Sequence, residues 1–112
     1  MKEQELENLQ ALFEQANTET QELALPLLNN AKFMSSELDK LMQTITAEGW
    51  TCDYWNGKNQ RGKIESAEGK AYHKLIKDFN TTVKNLQALL EKTQADTEEE
   101  DEFMQYIHRR NA

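Results

Sequence analysis

Lysines at positions 70, 74, 77 and 84 recur at steps of four, three and seven residues, and Lys58, Arg61 and Lys63 precede them in a short polar stretch. On a helix those steps put the ammonium groups on one side. A row of positive charges on one face suits contact with the phosphates of a nucleic-acid backbone, and such binding weakens steeply with salt. Between Asn56 and Lys84 the chain carries seven Lys or Arg against three acids, Glu65, Glu68 and Asp78, a local charge of +4. The remainder carries six basic residues against seventeen acids, or −11, for a chain total of −7. A basic island in an acidic protein is an electrostatic address for something negative. The competing reading is a solvated helix face on which lysine serves simply as a good helix former.

Other chemistry finds little support. There is no glycine loop of the phosphate-cradling type and no serine or cysteine beside an evident base at motif spacing. Cys52 is the single cysteine, so no internal disulfide framework exists, and no Cys/His spacing suits a structural zinc site. No metal, no cofactor and no enzymatic activity are expected. His73 and His108 have no partner constellation and read as surface or capping residues.

The elements that must position the lysines follow from periodicity. With 112 residues, 38% hydrophobic and 29% charged, the chain forms one domain with a thin core, and self-association is a reasonable expectation. Leu6, Leu9, Phe13 and Ala16 mark a first amphipathic helix within residues 3 to 17, with Thr18 or Thr20 ending it and capping the next. Pro26 lacks a backbone N–H and fits best in the first turn of a second helix, predicted over 26–48. Leu27, Leu28, Ala31, Met34, Leu38, Leu41, Met42 and Ile45 form its apolar stripe, and Gly49 is the residue expected just past its end. A third helix is predicted over 66–92, with Ser66 as its cap and Glu68 favourable beside the helix dipole. Tyr72, Leu75, Ile76, Phe79, Val83, Leu86 and Leu90 lie on one side of it, and Lys70, Lys74, Lys77, Lys84 and Lys92 on the other. Burying both apolar stripes against each other predicts an antiparallel hairpin of two long helices.

Residues 50–64 form an insert carrying the turn signal Asn56-Gly57 between residues that favour strands, which predicts a small β-ribbon or a looser loop. Trp50, Tyr54 and Trp55 suit packing or subunit contact, and base stacking is the alternative role.

The order Glu48-Gly49, an Asn56-Gly57 turn, a short basic polar stretch, then Ala71-Tyr72-His73-Lys74-Leu75 through Asn80 to Leu86 and Leu90 resembles the small terminase subunit of tailed bacteriophages of the P27 type. The resemblance covers roughly residues 23 to 92. It implies a helical protein that forms ring-like homo-oligomers, recognises double-stranded viral DNA, and delivers it to the large ATPase and nuclease subunit. The chain departs from the family's usual helix ending, reading Leu89-Leu90-Glu91-Lys92-Thr93 before running into acid.

That acidic run, 94–102, holds six acids between Asp96 and Glu102 and is expected to be a solvated linker. Beyond it, Phe103, Met104, Tyr106 and Ile107 with Arg109 and Arg110 read as a short amphipathic C-terminal helix within 103–112. The resemblance nominates the terminase large subunit as what this peptide docks on. The alternative is that it folds back on the same protein or a neighbour.

These readings together give a mainly α class, with residues 1–93 as a single helical domain, and a phage DNA-packaging component working in the host bacterial cytoplasm. No apolar run approaches the roughly 18 residues that span a bilayer, so no membrane partner is expected. A non-catalytic acidic helical adaptor that binds only proteins is the other reading. A DNA mimic is a remoter one, because a mimic has no use for the lysine row.

Overall fold

A computed structural model describes residues 2–55 and 61–111. The described chain is mainly helical, with one small two-stranded antiparallel sheet, in the order α1 (Lys2–Glu14), α2 (Thr18–Glu48), β1 (Thr51–Trp55), β2 (Arg61–Glu65) and α3 (Ala67–Asn111).

Helix α1 ends in a tight turn. The side chain of Gln21 donates from Nε2 to the carbonyls of Glu14 (2.8 Å) and Ala16 (3.0 Å), which satisfies acceptors that a helix end leaves open. Asn17 then caps α2, its Oδ1 accepting from the Thr20 amide at 2.8 Å. This corrects the expected start at Pro26, and neither Thr18 nor Thr20 is the cap. Pro26 lies inside α2. Leu25 and Pro26 are exposed, so the carbonyl that loses its proline partner faces water. Meanwhile Thr20, Ala24 and Leu28 are buried, and that packing outweighs the proline's cost.

The core is one contiguous cluster: Leu6, Leu9 and Phe13 from α1, Ala24, Leu28, Ala31 and Leu38 from α2, and Phe79 and Leu86 from α3. Each of these was on a predicted apolar stripe except Ala24, which preceded the expected helix start. Ala24 and Ala31 are fully buried, and their small side chains let helices approach closely. The chain doubles back between α2 and α3. Gly49 lies against Ser66 at one end of the pair (Ser66 Oγ to Gly49 O, 3.5 Å), and Thr20 meets Thr93 at the other (Oγ1 to Oγ1, 3.2 Å).

Past Thr93 the third helix continues alone. The acidic stretch 94–102, expected as a solvated linker, and the tail 103–111, expected as a separate short helix, are one uninterrupted helix with the preceding residues. Between Gly69 and the end of the chain there is neither glycine nor proline, and glutamate is a good helix former, so nothing local breaks the helix. At a rise of about 1.5 Å per residue the 45 residues of α3 make a rod of roughly 67 Å, and with the ribbon beyond its other end this accounts for the 89 Å long axis of the molecule.

Candidate nucleic-acid interface

The ribbon and the first half of α3 position the basic residues. Gly49 closes α2 with φ +95°, a backbone region open to glycine, and its amide donates to the Ile45 carbonyl at 2.6 Å. The chain can then turn into β1. The ribbon pairs Thr51 with Glu65, Cys52 with Ile64, Asp53 with Lys63, Tyr54 with Gly62 and Trp55 with Arg61. Opposite charges at Asp53 and Lys63 favour this register. Gly62 allows the Tyr54 ring to lie across the strand; a Cβ there would come within 2.3 Å of the ring.

Five contacts join the ribbon and its flanking residues to α3. The Ser66 amide donates to the Trp50 carbonyl at 2.8 Å, and Ser66 Oγ accepts from the Gly69 amide at 3.0 Å, capping the helix as its sequence position predicts. Trp50 stacks on His73 with ring centroids 5.3 Å apart and meets Tyr72 edge-on at 5.6 Å. His73 Nε2 also lies 3.3 Å from Glu65 Oε1. His73 is therefore the hinge-pin between ribbon and helix, a role the sequence did not reveal, because Trp50 and His73 are distant in the chain and only the hairpin brings them together.

From this junction Lys70, Lys74, Lys77 and Lys84 run outward along α3, all exposed. At about 100° per residue they fall within an arc of roughly 80°, and at about 1.5 Å per residue they span roughly 21 Å. They lie opposite the face that carries the buried Phe79 and Leu86. Among the described residues Lys40 pairs with Glu37 and His73 lies beside Glu65, and no described carboxylate pairs with these four lysines or with Lys63. Lys63 is exposed on the ribbon. Arg61 is placed in β2 by its backbone, and Lys58 lies outside the described residues. The structure thus keeps the four helix lysines on one side of α3. Lys63 instead lines an open cleft of about 440 Å³ together with Glu48, Asp53 and Glu68, so it sits among acids and is not joined to the lysine row, and the outer face of α3 is the cationic surface.

The tail residues are separate from this site. Phe103, Met104 and Tyr106 are 62%, 49% and 57% exposed, Ile107 is half-buried, and Arg109 and Arg110 are exposed. Phe103, Tyr106, Ile107 and Arg110 share one face by their i, i+3, i+4 and i+7 spacing. The side chains of Phe103, Met104 and Tyr106 do not fold back on the bundle. Cys52 is an exposed free thiol. No described helix is long and apolar enough to cross a membrane.

No protein-family model matches this chain, and no similar protein emerges among the curated proteins or the solved structures.

Proposed function

We propose that this chain is a phage DNA-packaging component of the small-terminase-subunit kind, working in the host bacterial cytoplasm as a homo-oligomer, ring-like in form. Lys63, Lys70, Lys74, Lys77 and Lys84, with Lys58 and Arg61, contact the backbone of double-stranded viral DNA. The exposed tail peptide, Phe103 to Arg110, docks on the large ATPase and nuclease subunit. The observation that carries this reading is the one-sided row of four exposed lysines with no described ion-pair partner, set against a chain that is otherwise strongly acidic. The sequence pattern from Glu48 to Leu90 supports it. Repetition of the row on each subunit of an assembly makes weak individual contacts useful through multivalency.

Titration of the protein into duplex DNA over a range of salt concentrations tests the proposal. Seven basic contacts predict a log–log salt slope of about −6.3, at roughly −0.9 per phosphate neutralised. Changing Lys70, Lys74 and Lys77 to Glu should abolish measurable binding at moderate salt and flatten the slope. Unchanged affinity in the triple variant removes the row from the mechanism.

A second reading, an acidic helical adaptor that binds only proteins, is favoured by the exposed Phe103 and Tyr106. F103A/Y106A should abolish capture of the large subunit while leaving duplex binding unchanged. Absence of duplex binding at low salt, with protein capture retained, selects the adaptor.

A further inference from the structure

The last 18 residues of α3, 94–111, project about 27 Å beyond the Thr20–Thr93 contact at a rise of about 1.5 Å per residue. Without tertiary packing along it, this stretch relies on propensity and on the helix it extends. Its six acids between Asp96 and Glu102 repel one another at three- and four-residue spacing. Opposite charge beside it would relieve that repulsion, and the same helix carries such a surface.

Along the outward side of α3 one row alternates steps of four and three residues without interruption: Lys70, Lys74, Lys77, Thr81, Lys84, Ala88, Glu91, then positions 95, 98, 102, 105 and 109. That spacing keeps the row on one side of the helix. The row is basic before Ala88 and turns acidic from Glu91 to Glu102, with the small residues Thr81 and Ala88 at its middle. Lys70, Lys74, Lys77, Thr81, Lys84, Ala88, Glu91, Glu102, Gln105 and Arg109 are all exposed, on the side away from the bundle core.

We infer that this row is an interface with a second copy of the chain, the two α3 helices lying antiparallel about a two-fold axis near Ala88. In that arrangement the lysines of each copy face the acidic half of the other, and every contact occurs twice, as a two-fold interface requires. Parallel pairing sets lysine against lysine and acid against acid, which the charges forbid. The helical state of 94–111 then has its cause in the partner's lysines. The pairing stands independently of the DNA reading, but it bears on it: a lysine held by the partner's carboxylate is not free for phosphate, so duplex DNA and the second copy compete for the same face.

Charge exchange tests the pair without any DNA. At low ionic strength, light scattering on the full chain should give a mass at least twice the 13.0 kDa of one chain, falling as salt is raised. K74E/K77E/K84E alone, and E98K/E99K/E102K alone, should each lower the wild-type mass by a factor of two or more. Mixing the two variants in equal amounts should restore it. A wild type at the mass of one chain, association unchanged by either variant, or a mixture that stays dissociated overturns the inference. Lys74, Lys77, Lys84, Glu99 and Glu102 are exposed, and a retained thermal unfolding transition verifies that each variant is folded. The mixture keeps the test decisive, since only complementary pairing recovers association from two defective partners.

Discussion

The first 27 residues of α3 and its last 18 share one backbone conformation and differ in nearly everything else. The first stretch buries Phe79 and Leu86 against α1 and α2 and turns lysines outward. The second buries little, holds six acids in seven residues and exposes Phe103 and Tyr106. Helical backbone is therefore no measure of what a segment contributes. In the first stretch packing maintains the helix and the lysines are passengers available for function. In the second, propensity supplies the helix and charge opposes it, so the segment depends on what lies beside it.

The sharpest way to break this contrast is a pair of truncations. Leu86→Ala should lower the free energy of unfolding by about 2–5 kcal/mol, because it opens a cavity in a fully buried site. Phe103→Ala should change it by less than about 0.5 kcal/mol, as an exposed substitution away from special contacts does. Urea denaturation with unchanged slope measures both; similar losses at the two positions would show that the tail is packed. Ser66→Ala comes next, at about 1 kcal/mol, because the Gly69 amide loses its cap at the start of the packed stretch. Its companion at the far end is R109Q/R110Q, which removes two cations from the last turn, where they favour the helix dipole. That change should reduce far-UV helical content slightly while leaving the unfolding midpoint within error. A shifted midpoint would tie the tail to the bundle.

Much of the bundle was legible before any coordinates. The apolar stripes at Leu6, Leu9 and Phe13, at Leu28, Ala31 and Leu38, and at Phe79 and Leu86 are the buried core, since burial of a helix face imposes the 3.6-residue period directly on the sequence. Gly49 and Ser66 were readable as helix ends for an equally local reason, a backbone angle and a hydroxyl cap. Pro26 misleads because its penalty is local, while the packing of Thr20 and Ala24 is a long-range gain. The acidic run misleads in the opposite sense: its repulsion is conspicuous, whereas the absence of any helix breaker is not. The lysine row was visible by spacing, but that it carries no described ion-pair partner was not, because side-chain pairing depends on neighbours in space.

By itself, then, the sequence determined which residues are helical within each amphipathic stretch, where α2 ends and α3 begins, and that positive charge collects on one side of the last helix. These follow from propensity, periodicity and capping, which act over a turn or two. Only the tertiary structure decided that Trp50 stacks on His73, that Thr20 meets Thr93, and that α3 outruns its companions to leave an acidic, unsupported end. Those outcomes depend on relative helix length and on how closely Ala24 and Ala31 allow the helices to pack, and such quantities exist only once the chain has closed on itself.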